Sequence, residues 1–291
     1  MSREGLLARE AWSDALLADA YAENVGGLSA EPHAVRIPPA LYAAPTGPMW
    51  LRDAHGSLIR GTGSNWERLR VPVTGVLGLV PLADGGAIIL ALHRTGFELV
   101  AIDARGRERW RRDSNNLLAP AAGTNTAALR LLQDDLGHPY LHLGPPRSSV
   151  FRIDIGTGAV QTVADLAGYD APVLVSHGAV WRIQFDGTHR HWVRRPFGGA
   201  DEVVLRGGTL DDTFLTAVAV ASDGGPVLTD GRRLLKIAPD GREQIIPPPA
   251  MPAPAPPPPA VLDLLRPVPR PDSLWVVYAD GAGWAVYSLP A

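Results

Sequence analysis

Asp211 and Asp212 stand side by side in GGTLDDTFL (207–215), and Asp113, Asn115, Asn116 and Asp170 fall in comparable stretches between apolar runs. Carboxylate and amide oxygens hold hard divalent cations, which polarise an acyl group or activate a water. If these side chains converge, the chemistry is metal-dependent hydrolysis, lactone opening or elimination. Taken singly, each Asp is explained as a turn residue that accepts backbone amides. A second group is basic: His93, Arg94, Arg147, His189, Arg190, Arg232 and Arg233. Imidazole and guanidinium groups around one opening would bind a carboxylate, a phosphate or an acidic surface. Dispersed over loops, the same residues are ordinary solvated charges. THRH (188–191) sets His189 and His191 two apart, on one side of a strand. A metal needs a third ligand, and none is near in sequence. HPYLH (138–142) offers His138 and His142 with less support still.

Other chemistries are excluded by composition or by missing motifs. The 291 residues contain no cysteine, which removes disulfides, thiolate nucleophiles and cysteine–zinc sites. No Walker motif, G-x-S-x-G or H-E-x-x-H is present. A formal net charge of -3 calls for neither nucleic acid nor an anionic membrane. Lys236 is the lone lysine. The apolar residues at the N-terminus are broken by Arg9, Glu10, Asp14 and Asp19, so no signal-peptide core forms, and AIILAL (87–92) is far too short to span a bilayer. A cytoplasmic protein with no cofactor is the expectation.

The elements that would position these residues fall into two kinds. In residues 1–27, Leu6, Leu7, Trp12, Leu16, Leu17, Ala20 and Tyr21 recur at helical spacing until Gly26 and Gly27. That reads as an amphipathic N-terminal α-helix, packed on the body or docking a partner. Helical periodicity is gone by residue 46. Short runs rich in Val, Ile, Leu, Trp and Tyr alternate with Gly, Asp, Asn and Pro turns. VLGLVPL, AIILALH, ELVAIDA and ERWRRD (76–113) read as four strands joined by short turns. The unit recurs from residues 127, 171, 216 and 261, the last one strand short. Four strands every 44 to 50 residues is the pattern of an all-β chain folded as a single β-propeller over 28–291. Extrapolating back adds a blade near 32–72, for six blades of four antiparallel strands, with five or seven as alternatives. Turns after the third strands rhyme at Asp53–Gly56, Asp103–Gly106, Asp154–Gly156 and Asp240–Gly241. HAVRIP (33–38) is a candidate strand for closing the ring. The proline run at 247–260 reads as a polyproline II loop of about 40 Å if straight. It is either a stiff insertion or a ligand for an aromatic groove on a partner.

In such a ring, connections between second and third strands, and from blade to blade, emerge on one face. Tight turns such as ADGG, RGR, GTG and DGG fall on the other. The first face collects the long irregular segments and the basic residues named above, and long loops on a rigid scaffold are where sites usually sit. The tryptophans keep no fixed place in the repeat, which points to packing between blades rather than one sugar site per blade.

AIDARGRERW (101–110) resembles the repeat of PQQ-like propellers, in which an Ala-x-Asp turn leads through Gly to Trp; RIDIGTGAV (152–160) matches in part. The resemblance implies the fold superfamily. Quinoprotein dehydrogenases of that superfamily have more blades and often a vicinal cysteine pair, which this chain lacks, so quinone binding is not carried over.

No residue demands a reaction. The first functional reading is therefore a non-enzymatic interaction module or assembly subunit with a protein partner. A metal-dependent hydrolase, lactonase or lyase at the channel mouth is the alternative. A small-anion binder using the Arg/His ring is the second. The binding face in each case is built from His93, Arg94, Arg147, His189, Arg190, Arg232, Arg233, Asn115, Asn116, Asp211 and Asp212.

Overall fold

The computed structural model describes residues 40–43, 48–52, 57–62, 65–93, 96–113, 129–144, 148–166, 173–212, 215–230, 234–246, 263–264, 268–270, 273–280 and 283–290. The N-terminal helix, HAVRIP and the proline run lie outside the described residues. So do Arg94, Asn115, Asn116, Arg147, Asp170, Arg232 and Arg233.

Among the described residues every regular element but one is a β-strand, and the strands fall into antiparallel sheets in chain order. The first sheet is β1 (Ala40–Ala43), β2 (Met49–Arg52), β3 (Leu58–Thr62) and β4 (Asn65–Leu69). The second is β5 (Val76–Pro81), β6 (Ala87–His93), β7 (Gly96–Ile102) and β8 (Glu108–Asp113). The third is β9 (Arg130–Gln133), β10 (Pro139–Leu143), β11 (Ser149–Ile153) and β12 (Val160–Asp165). The fourth is β13 (Leu174–Ser176), β14 (Ala179–Phe185), β15 (Arg190–Pro196) and β16 (Glu202–Arg206). The fifth is β17 (Thr216–Val220), β18 (Pro226–Thr229), β19 (Leu234–Ile237) and β20 (Glu243–Ile246). In the last, β21 (Asp263–Leu264) and β22 (Val268–Arg270) lie along one edge of β23 (Ser273–Asp280), and β24 (Gly283–Pro290) lies along the other. That sheet is three strands deep, as the sequence pattern predicts.

The first strands of neighbouring sheets touch, β1 to β5, β5 to β9, β9 to β13 and β13 to β17, and β17 touches β22 at the inner edge of the last sheet. The circle returns from β22 to β1. A chain of inner strands that comes back on itself is the arrangement of a propeller.

The register of β6 shows why AIILAL is a continuous apolar run rather than an alternating one. Ala87, Ile89 and Ala91 pack with Trp50 and Leu58 of the first sheet, while Ile88 and Leu90 pack with Leu141 and Leu143 of the third. A strand buried on both faces has no polar side. Each fully buried Ile or Leu contributes about 1.5–3 kcal/mol of hydrophobic stabilisation. Tryptophans lock neighbouring sheets. Trp110 of β8 donates its indole N–H to Ile155 O in the third sheet's hairpin turn (2.7 Å). Trp181 stacks on Trp192 (centroids 5.5 Å apart), and Trp192 donates to Gly224 O of the fifth sheet (2.9 Å).

One turn assignment is corrected. Asp53–Gly56 falls between β2 and β3, not after a third strand, because WLR and SLIRG are the second and third strands of the first sheet. The other three rhyming turns do follow third strands, and their carboxylates cap them. Asp103 accepts the amides of Arg105 and Arg107 (2.8 and 3.0 Å), Asp154 that of Thr157 (2.7 Å), and Asp240 that of Arg242 (3.1 Å). The Arg107 amide is the main cause holding Asp103 down at about 2.

His142 is an internal liability. It is 1% exposed in β10, on the side facing the fourth sheet, and neither ring nitrogen has a hydrogen-bond partner. Burial, then the charge of Arg130, lowers its pKa from 6.5 to about 4. The folded state therefore keeps the ring neutral, while the unfolded chain takes up a proton below pH 6.5. Its contribution to stability is complete above 6.5 and is lost as the pH falls toward about 4, at roughly 1.4 kcal/mol per unit. Urea midpoints measured across that window should fall with pH, and His142→Leu should flatten the slope. An unchanged slope in the variant would remove His142 as the cause.

Candidate functional site

Of the eleven residues assigned to the binding face by sequence, His189, Arg190, Asp211 and Asp212 have described side chains, and the structure brings all four together. His93 closes β6 on the same face. Asp113 ends β8 there too, apart from this group. Among the described residues no three His, Asp or Glu side chains gather into a group that could hold a metal.

The site grows from two segments. The β14–β15 connection, DGTH, is shaped by Asp186, whose Oδ1 accepts the amides of Thr188 and His189 (both 2.9 Å). Its Oδ2 takes the His191 Nε2 contact at 2.6 Å. These contacts, the His189 amide first, hold Asp186 well below the usual carboxylate range. His191 is thereby turned inward as a buried support and does not share a ligand set with His189. The second segment links the fourth and fifth sheets. Its 3-10 turn, Gly208–Asp211, is pinned by Leu210, which is buried in the core with Trp192 and Leu228. Thr209 bonds Glu243 at the start of β20.

The two segments meet at Asp211. Its Oδ1 accepts the Arg190 amide (2.7 Å), and its Oδ2 lies 3.1 Å from His189 Nδ1. The Arg190 amide first, then the imidazole, lowers the Asp211 pKa below 3.8, so the carboxylate is charged at neutral pH. A charged carboxylate facing Nδ1 selects the Nδ1–H tautomer and leaves the Nε2 lone pair on the exposed side of the ring. Arg190 Nη1 donates to Asp212 O (3.1 Å). Asp212 thus meets Arg190 through its backbone carbonyl.

Gly207 leads the chain into the 3-10 turn. Its φ is +58°, and a Cβ there would lie 3.4 Å from Asp211 Oδ2 and 3.7 Å from His189 Nδ1. Gly207→Ala should strain the backbone by about 1–3 kcal/mol, because a side chain disfavours φ +58°, and so shift the segment that carries Asp211. A lower melting temperature together with a changed His189 imidazole resonance is the expected result.

The opposite face holds contacts that sequence reasoning did not find. Asp135 of the β9–β10 turn accepts the His177 amide (2.9 Å) and the Ser176 hydroxyl (3.3 Å), with Ser176 Oγ 3.2 Å from His177 Nδ1. The carboxylate touches the hydroxyl and the backbone rather than the imidazole, which is not the order of a nucleophilic triad. The group ties the third sheet to the fourth and holds His177 at φ +52°. Asp134 accepts the amides of Leu136 and His138 and lies within hydrogen-bond distance of His138 Nδ1 and the Tyr140 hydroxyl (2.7–3.0 Å). Adjacent residues that serve different sheets leave no spacing signal in the sequence.

No protein-family model matches the chain, and no curated protein matches its sequence. Solved structures do match. A streptogramin B lyase superposes with a TM-score of 0.53 at 15% identity, covering 89% of this chain and 80% of that one. A catalytically inactive virginiamycin B lyase from Staphylococcus aureus with quinupristin gives 0.50 at 11% identity, covering 89% and 87%. A puromycin hydrolase gives 0.50 at 15% identity, covering 89% of this chain and 47% of that one. At such identities the likeness is one of fold, and the fold is a β-propeller.

Proposed function

We propose that this protein is a propeller enzyme of the lyase or hydrolase class, working on the face that carries the long connections, with His189 as its general base. The carrying observation is the 3.1 Å contact between His189 Nδ1 and Asp211 Oδ2 beneath an exposed ring. A carboxylate-held imidazole is the commonest general base, and positioned proton transfer is worth about 10²–10⁴-fold in rate. In a hydrolysis, Nε2 takes a proton from water as the oxygen adds to an acyl carbon, and the leaving group departs with its electron pair. In an elimination, Nε2 takes a proton from carbon, a double bond forms, and the leaving group departs from the neighbouring carbon. The names of the matching structures, lyase and hydrolase, support this reading over a non-enzymatic interaction module. A panel of esters, lactones and amides followed by mass spectrometry tests it. Products one water heavier than substrate indicate hydrolysis; fragments that together equal the substrate indicate elimination. Turnover that is undiminished in Asp211→Asn would overturn the assignment.

The ring is best read as six-bladed, closed by a strand from the N-terminal segment. The outermost strands β4, β8, β12, β16 and β20 each carry at least one charged residue, whereas β24, GWAVYSLP, carries none. An uncharged outer edge invites pairing. Val35-Arg36-Ile37-Pro38 repeats Leu69-Arg70-Val71-Pro72, the stretch where β4 ends and the chain crosses to β5. That correspondence supports HAVRIP (33–38) as the candidate closing strand. Deleting residues 1–35 should lower the melting temperature by several degrees or more, while deleting 1–24 should lower it far less. Equal effects would contradict the closure.

A further inference from the structure

We infer that the surface beside the His189–Asp211 pair binds a small organic carboxylate with an aromatic or flat apolar body, and that Arg190 and Phe185 are its specificity-determining residues. The inference rests on the reading of His189 as the working group and names the class of molecule brought to it.

Two observations carry it. The first is the state of Arg190. Its backbone is fixed by Asp211, and its guanidinium is anchored at Nη1 on the Asp212 carbonyl. The side chain makes no ion pair with any described carboxylate, and no described hydrogen bond uses its Nε or Nη2. Nε and Nη2 form the edge that takes both oxygens of a carboxylate at once. A guanidinium held at one corner with this edge open is pre-organised for an anion, because the rotamer freedom that binding would remove is already restricted.

The second observation is Phe185. It is 63% exposed and is the only exposed aromatic side chain among the described large hydrophobics, the others being Leu92, Leu136, Ile155, Val203 and Ile245. Phe185 and Arg190 are directly paired across β14 and β15, which puts their side chains on the same side of the sheet about 5 Å apart at Cβ. Phe185 and Arg190 therefore share one side of the sheet, and the bond of Arg190 to Asp212 O sets its guanidinium beside Asp211, the partner of the imidazole. A ligand whose carboxylate sits on Arg190 can lay an apolar body over Phe185 and present its reacting bond toward His189 Nε2. A purely inorganic anion would leave the ring bare, and a neutral apolar molecule would leave the guanidinium unpaired.

The test compares three probes by calorimetry or saturation-transfer NMR: phenylacetate, acetate and 2-phenylethanol. Phenylacetate is expected to bind about tenfold or more tightly than either of the others. Phe185→Ala should bring phenylacetate down to the level of acetate. Arg190→Gln, which keeps the amide that holds Asp211, should bring it to the level of 2-phenylethanol. Equal binding of the three probes, or phenylacetate affinity unmoved in either variant, overturns the inference. Failure of the base reading would show as undiminished turnover in His189→Ala, and failure of this inference as equal binding of the three probes by the wild-type protein.

Discussion

Replacing His189 by alanine is expected to lower kcat by about 10²–10⁴-fold while leaving KM within a few-fold. The size follows from what the residue supplies. Its ring is exposed, is held at Nδ1 by a charged carboxylate, and makes no other hydrogen bond among the described residues. Removing it deletes the proton acceptor and little of the packing. Asp211→Asn should give a smaller loss, because the imidazole remains while a neutral amide no longer stabilises the imidazolium that forms when Nε2 takes a proton. The one acceptor oxygen of that side-chain amide can serve the Arg190 amide or His189 Nδ1–H but not both, and with the oxygen on the Arg190 amide the loop stays in place while the imidazole loses its acceptor. Steady-state kinetics on a substrate found by the panel, with both variants beside wild type, measures the order. Asp211→Asn more damaging than His189→Ala would mean that the carboxylate itself does the chemistry.

The largest stability effect is expected at Trp192. Its side chain is fully buried, stacked on Trp181 and packed with Leu210, Leu228 and Leu235, and its indole N–H is satisfied by Gly224 O. Trp192→Ala should cost about 3–5 kcal/mol through lost burial and the cavity left behind. It also leaves the half-buried Gly224 carbonyl without its indole donor, adding up to about 1 kcal/mol. Because the same core pins Leu210, and with it the turn that carries Asp211, the site should loosen as well as the fold. Trp192→Phe keeps most of the ring and loses the hydrogen bond, so a cost nearer 1–2 kcal/mol is expected. Chemical-denaturant unfolding of the two variants checks the difference. Equal costs would place the stabilisation in the hydrogen bond rather than in the packing.

The fold was legible because the forces that build it repeat. AIILALH and PYLHL are apolar on both sides because blades bury both faces of their inner strands. Asp-Gly-Gly recurs at the β5–β6 and β17–β18 turns for a steric reason. A side chain at Gly86 or Gly225 would overlap the carbonyl oxygen of Ile102 or Ile237, where the third strand ends. The first sheet was harder to read because its strands are short and DAHG, which looks like a hairpin cap, joins its second strand to its third.

The candidate site was half legible. Topology alone puts THRH and GGTLDD on one face, and the structure joins them through His189, Arg190 and Asp211. The roles within the group could not be read. Nothing in THRH distinguishes a solvent-facing His189 from a His191 turned in on Asp186, because the division depends on which carboxylate each ring reaches. Nor does DD reveal that Asp211 offers its carboxylate and Asp212 its carbonyl. Phe185 escaped notice because an apolar residue at the end of a strand reads as core until burial is known.

The central claim is that Asp211 holds His189 as the Nδ1–H tautomer with Nε2 free to accept a proton, and it needs no substrate to test. A long-range proton–nitrogen NMR spectrum of the imidazoles, assigned with His189→Ala and repeated on Asp211→Asn, reads it directly. The account predicts a protonated Nδ1 and an unprotonated Nε2 for neutral His189, with that preference lost or weakened in Asp211→Asn. A His189 protonated at Nε2, or a spectrum indifferent to Asp211, would contradict it.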